Sequence, residues 1–254
     1  MKATVSGMAA LAAFGVTHGE GYAVWADFES RIQYAYYTED ARALANLAEL
    51  LAARTEADPW KAYYQALAHY HYASMPNAPQ PARGGAAEKC IVAAERAAQT
   101  QPRSRKSDGS RPPANTAVPE NIAEAAVLQS ACFDLLSAMK PVRAPLATAR
   151  ARKRLSEALQ LSPANPRALL IEASAQSGAE AEKTLSDALL RFERERQSAS
   201  SLPSWGAAES YLALGRLKFE RGDVLGARDA LEHALLIAPE FAAARRLLVR
   251  VTTG

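Results

Sequence analysis

One spacing of small and apolar residues occurs four times in the sequence. In one copy, Ala227, Leu231, Ala234 and Pro239 follow one another at intervals of four, three and five residues. The other copies are Ala151, Leu155, Ala158 and Pro163; Cys90, Ala94, Ala97 and Pro102; and, without the proline, Ala181, Leu185 and Ala188. Residues three and four apart share one face of an α-helix, and proline ends a helix. The sequence therefore predicts several similar helices along the chain, each packing through the same narrow face.

The composition favours helices throughout. The chain is 49% hydrophobic, much of it alanine, the residue that loses least entropy in a helix. Runs of β-branched and aromatic residues that mark strands are scarce. We therefore predict an all-α fold, with helical segments at 27–38, 39–54, 58–75, 86–100, 120–139, 146–161, 166–176, 180–196, 204–221, 224–237 and 240–251. Pro76, Pro79, Pro81 and the pair Gly84-Gly85 are expected to break the chain before the fourth segment, and 103–119 is expected to form an irregular loop.

The segment from Trp205 to Glu240 resembles the tetratricopeptide repeat. It contains the features of that family in order: Tyr211, Leu214-Gly215, Gly222-Asp223, Ala227, Leu231, Ala234 and Pro239. Lys218 stands where the family usually has an aromatic residue. Physically, Gly215 allows close approach of the second helix, and Gly222-Asp223 turns the chain and caps that helix. The resemblance implies a right-handed superhelical array of antiparallel helix pairs over 24–254.

A looser similarity links the chain to exported bacterial tetratricopeptide proteins of uncharacterised function. It is carried by Ser162–Arg167 and Leu202–Gly206. The resemblance implies export and no particular activity.

The first helices of such an array line a concave groove, so one stripe of each is expected to face a partner. The candidates in this register are Gln65, His69, Tyr72, Gln129, Phe133, Leu170, Arg216 and Phe219. Aromatic, amide and arginine side chains suit the capture of a peptide or helix. The alternative is that the aromatic residues pack between repeats, and the neighbouring stripe of Tyr64, Leu67, Ala68 and His71 is expected to be a packing face.

The N-terminus resembles a secretory signal. Lys2 precedes an uncharged stretch from Ala3 to Thr17, and Gly21 and Ala23 are small residues suited to cleavage. We predict removal of 1–23 and a periplasmic or secreted protein; without a signal it would be cytoplasmic. We expect no other segment to be long or apolar enough to cross a membrane.

Cys90 and Cys132 are the two cysteines, and both lie in alanine-rich apolar patterns. They are either two small buried residues or one disulfide between helices, which an oxidising compartment would permit. No Cys-x-x-Cys motif is present.

Charge and motifs point away from chemistry and nucleic acids. The net charge is +3, with basic and acidic residues interleaved. The basic cluster Arg103, Arg105, Lys106 and Arg111 is expected to be a solvated loop. His69 and His71 lie on different helix faces, so we expect no metal site, no cofactor and no catalytic residues. An enzyme or small-molecule carrier would need a cluster of carboxylates or histidines that the sequence does not show.

The prediction is a non-enzymatic module that binds a partner peptide or helix. The alternative is a structural or self-associating subunit of a cell-envelope or secretion assembly, which would make the protein a homo-oligomer.

Overall fold

The computed structural model describes residues 18–56, 58–99, 120–197 and 203–253 of the 254-residue chain. These residues form eleven α-helices, and no strand occurs among them, which confirms the all-α prediction. The helices are α1 His18–Tyr37, α2 Ala41–Ala53, α3 Pro59–Ser74, α4 Gln80–Gln99, α5 Glu120–Met139, α6 Ala144–Leu161, α7 Pro166–Ser174, α8 Gly178–Gln197, α9 Ala207–Glu220, α10 Val224–Ile237 and α11 Ala242–Thr253. The loop predicted at 103–119 and most of the predicted signal lie outside the described residues.

Short polar residues start several of these helices. The side chains of Asp40, Asp58, Asn165 and Asp223 each accept a hydrogen bond from a backbone amide of the following first turn. A first turn has amides with no partner inside the helix, and a side-chain oxygen at this position supplies one. These caps explain why the breaks between helices are short.

The start of α4 differs from the prediction. The helix begins at Gln80 and runs through Pro81, Gly84 and Gly85, which we expected to break the chain. Proline is tolerated in a first turn because the amide it lacks has no helical partner there. Gly84 is buried, and a Cβ on it would lie 3.4 Å from the Cε of Lys140, which is an ordinary van der Waals contact.

Each helix packs on the next one along the chain. Contacts also join α1 to α3, α3 to α5, α5 to α7 and α9 to α11, so odd-numbered helices meet one another directly. The predicted packing stripe of α3 is confirmed: Tyr64, Leu67, Ala68 and His71 are completely buried.

The pair α9–α10 shows why small residues recur. Ala227, Leu231 and Ala234 are completely buried. A Cβ added to Gly215 would lie 2.7 Å from the Cγ of Leu231, so the two helices approach too closely for any other residue. Gly222 has a φ of +80° in the turn between the helices, as the Gly-Asp pair predicted.

Candidate functional site

A cavity of about 520 Å³ lies where the six odd-numbered helices meet. Each of these helices, or the residue that flanks it, contributes to the wall of this central cavity. One lining residue from each is Tyr36, Tyr70, Leu135, Leu170, Leu212 and Ala243. The lining is mainly apolar with a few charged groups, which is the usual composition of a binding pocket.

The cavity is closed on one side by contacts between the two ends of the chain. Phe241, just before α11, packs against Tyr37 and Tyr36 of α1 with ring centroids 4.6 and 5.8 Å apart. Arg246 donates two hydrogen bonds to the carboxylate of Glu39, one of them 2.9 Å long. Glu39 has a φ of +58°, an uncommon conformation for this residue, in the turn that carries it to Arg246. The first and last helices are therefore neighbours.

Three further charged side chains line the central cavity. Arg216 is exposed and makes no hydrogen bond or ion pair within the described part of the chain. Burial raises the pKa of Asp134, and the charge of Arg152 opposes this effect. Glu209 accepts hydrogen bonds from the amide of Gly206 and the hydroxyl of Tyr37, at 3.0 and 3.2 Å. Burial raises its pKa to about 7, so Glu209 changes charge near neutral pH.

A buried carboxylate on α1 holds the segment that precedes α9. Glu29 is 1% exposed and accepts hydrogen bonds from the backbone amides of Ser204 and Trp205, at 2.6 and 2.9 Å. The hydroxyl of Tyr64 donates to the same carboxylate at 2.9 Å. Because Glu29 is about 175 residues before its amide partners, this contact joins two distant segments of the chain.

A buried arginine holds the other side of this segment. Arg167 is 1% exposed and donates hydrogen bonds to the carbonyl of Pro203 and to Glu195, the latter at 3.0 Å. It also lies 3.5 Å from Glu124, whose carboxylate accepts a 2.6 Å hydrogen bond from Asn165. Burial raises the pKa of Glu124, and the charge of Arg167 opposes that rise. A buried ion pair of this kind fixes geometry more than it adds stability.

The predicted groove residues do not share one surface. Leu170 and Arg216 line the central cavity. Gln65 and His69 line a separate cleft between α2 and α4, where burial lowers the pKa of His69 to about 4. Gln129 and Phe133 line a third cleft between α4 and α6.

The last two candidates contribute to packing. Tyr72 packs against the largest buried cluster. Phe219 packs beside α10 and α11, with the Arg250 guanidinium 5.8 Å from its ring. On α3 the residues that line the cavity are Tyr70 and Ser74, not the predicted His69. Tyr70 is one position after His69, which corresponds to a rotation of about 100° around the helix axis. On α5 the residues that line the cavity include Ala131 and Asp134.

Sequence reasoning missed most charged groups of the site, although signals for two of them exist. Glu209 stands three residues after Gly206, the spacing of a capping box, and its carboxylate does accept the Gly206 amide. Glu29 shares the buried stripe of Trp25, Phe28 and Ile32, where a charged residue indicates a specific partner.

The structure joins Cys90 of α4 and Cys132 of α5 in a disulfide. Their Cα atoms are 6.2 Å apart, and both side chains are completely buried. The bond ties two helices that are separated in sequence by the undescribed positions 100–119.

One described helix is long and apolar enough to cross a membrane. The window Asn121–Met139 in α5 passes this test, contrary to our expectation that no segment after the N-terminus would. Because 67% of that window is buried against the rest of the protein, its apolar surface is already used in packing. No group of three potential metal ligands occurs among the described residues.

Neither a protein-family model nor a curated protein matches the sequence. The tetratricopeptide resemblance therefore depends on the residues quoted above.

Proposed function

We propose that the protein is a non-catalytic binding module of tetratricopeptide type, whose central cavity captures a peptide or helix of a partner protein. The observation that carries this proposal is the single cavity to which all six odd-numbered helices contribute. In a superhelical array of helix pairs, the first helix of each pair faces the concave side. The contacts of α1 with α3, α3 with α5, α5 with α7 and α9 with α11 are consistent with that arrangement.

The chemistry of the lining supports a peptide ligand. Leucines and aromatic side chains provide apolar contact, while Arg216 and Asp134 supply charges without a hydrogen-bonded partner in the described chain. A helix that enters such a groove is held by a few apolar anchors and oriented by charges at the rim.

We further propose that the protein acts outside the cytoplasm. The Cys90–Cys132 disulfide supports this proposal, because disulfides persist in oxidising compartments. Cleavage after residue 23 would also leave Trp25, the first buried side chain of the described core, within the mature protein. N-terminal sequencing of the protein from its native cell tests the cleavage; an intact N-terminus in a cytosolic fraction would contradict export.

A cavity-filling variant tests the binding proposal. Ala138 lines the cavity and is exposed, so Ala138→Trp should block the cavity without disturbing the fold. Val142→Trp is the control, since Val142 is 98% exposed and lies outside the cavity. Each purified variant is used to recover partners from envelope extract, which are quantified by mass spectrometry. We expect a partner recovered by the wild type and by Val142→Trp to be lost with Ala138→Trp. Equal recovery by all three proteins would refute the proposal.

Self-association is the second candidate, and an exposed apolar surface favours it. Leu225 and Leu236 on the outer side of α10 are 82% and 78% exposed. Light scattering over a wide concentration range tests this candidate, and a monomer at every concentration would exclude it.

A further inference from the structure

The cleft between α4 and α6 has the features of a second binding site. Ile91 and Glu95 of α4 form one wall, and Arg150, Lys153 and Arg154 of α6 form the other. Gln129 and Phe133 of α5 form the floor. The volume is about 360 Å³, near the lower end of the range for ligand pockets, so the cleft admits one or two side chains and excludes a folded element.

An unpartnered amide lies at the bottom of this cleft. Gln129 is only 3% exposed, yet its side chain makes no hydrogen bond within the described residues. The amide nitrogen and oxygen of Gln129 nevertheless still reach solvent through the cleft, so a ligand can contact them there. The Gln129 amide lines the cleft, where a ligand atom can complete its hydrogen bonds.

The wall beside this amide is strongly basic. Helix α6 has four basic side chains between positions 150 and 154 and one acidic side chain, Glu157, so its net charge is +3, equal to that of the whole chain. Arg154 is paired with Glu157 at 2.7 Å, and the Arg150 guanidinium lies 5.8 Å from the centre of the Phe133 ring. Lys153 is exposed and has no ion pair among the described residues. The cleft therefore has cationic groups available for an anion.

The opposite wall restricts which anion fits. Glu95 is exposed and has no ion-paired or hydrogen-bonded partner in the described chain. Its negative charge repels a dianionic phosphate. A peptide with an acidic side chain carries only one negative charge there, and it also has a backbone amide that can donate a hydrogen bond to Glu95.

We propose that this cleft binds an acidic peptide segment of a partner protein. A glutamate or aspartate carboxylate contacts Lys153, Arg150 and the Gln129 amide, and the neighbouring backbone amide faces Glu95. The site is separate from the central cavity and does not depend on the function proposed for that cavity.

Fluorescence anisotropy with a labelled peptide of alternating alanine and glutamate tests the proposal. The wild-type protein should bind this peptide at low ionic strength and should not bind the matched peptide of alanine and glutamine. Gln129→Met removes the amide at similar volume and should weaken binding about fivefold. Lys153→Gln, an exposed change that leaves the fold intact, should weaken binding about threefold.

Two control variants locate the interaction. Arg152→Gln removes the same charge from the same helix outside the cleft and should change affinity by less than about twofold. Ala138→Trp in the central cavity should leave peptide binding unchanged, so the two sites succeed or fail independently.

The proposal is overturned by any of three results. The first is no binding of the acidic peptide by the wild type. The second is an equal loss for Lys153→Gln and Arg152→Gln, which would show a general attraction to α6. The third is displacement of the peptide by inorganic phosphate at lower concentration than by glutarate, which would make phosphate the preferred ligand.

Discussion

Replacing Arg167 with methionine tests whether the buried ion pair holds the fold together. The guanidinium is 1% exposed and is shared by Glu124, Glu195 and the carbonyl of Pro203. Removing one partner of a buried pair costs about 3 to 5 kcal/mol, mainly because the other charge stays buried without compensation. We expect Arg167→Met to lower the free energy of unfolding by this amount at pH 7.

A double variant separates the lost charge from the lost packing. In Arg167→Met/Glu124→Gln the uncompensated carboxylate is gone, while a side-chain oxygen still accepts the hydrogen bond from Asn165. The double variant should be more stable than Arg167→Met alone by about 2 kcal/mol. The matched control is Arg196→Met, whose partner Glu193 is also on the surface of α8; it should cost less than about 1 kcal/mol.

The assay is urea unfolding followed by circular dichroism, with the disulfide intact. The loss caused by Arg167→Met should shrink as the pH falls from 8 to 5. Burial raises the folded-state pKa of Glu124 above its unfolded value, and Arg167→Met removes the charge that opposes this rise. The buried carboxylate therefore binds a proton as the pH falls, and the uncompensated charge disappears. A loss below about 1 kcal/mol for Arg167→Met, or a double variant no more stable than this single variant, would refute the reasoning.

Three other changes have definite expected outcomes. The pKa of Glu209 is about 7 in the folded protein and 4.5 in the unfolded chain, so the free energy of unfolding should fall by about 3 kcal/mol as the pH rises from 4.5 to 7. Glu209→Gln lacks this titration and should therefore gain stability relative to the wild type over the same range, as measured by urea unfolding. Parallel pH profiles of the two proteins would contradict this. Replacing Cys90 and Cys132 by alanine should lower the free energy of unfolding by about 4 kcal/mol, because the disulfide closes a loop across a separation of 42 residues in the unfolded chain. An unchanged denaturant midpoint in chemical unfolding would count against the disulfide. Gly215→Ala should lower the melting temperature, since its Cβ would lie 2.7 Å from Leu231. Gly85→Ala on α4 should raise the melting temperature, because its Cβ would have no neighbour within 4 Å and alanine favours a helix more than glycine does. The same shift in both variants would exclude the packing explanation.

Helices were predictable from the sequence because their signals are local. Caps such as Asp58 and Asp223, and the spacing of Ala227 and Ala234, act within one helix or one turn. Helix α4 is an exception, since it runs through Gly84 and Gly85, which were expected to break the chain. Gly84 is buried beside Lys140, more than fifty residues away, and no local pattern reveals that contact. Helix α1 is another exception, because it begins at His18 and not at position 27.

The site was less predictable because it depends on how helices rotate against one another. A shift of one residue turns a side chain by about 100°, enough to move it from the cavity to an adjoining cleft, as happened for His69. Of the groove candidates, Leu170 and Arg216 line the central cavity. The partners of Glu29 and Arg167 come from distant segments, which a single sequence does not reveal.

The contact between α1 and the end of the chain has a consequence for synthesis. Glu39 and Arg246 are 207 residues apart, so the aromatic face of Tyr36 and Tyr37 cannot reach Phe241 until synthesis has passed that residue. Contacts of such long sequence separation slow folding, because the loop between the two residues must close first. Ribosome-bound chains would therefore expose an unpaired aromatic surface on α1, and a holding chaperone would bind there and not at the growing end.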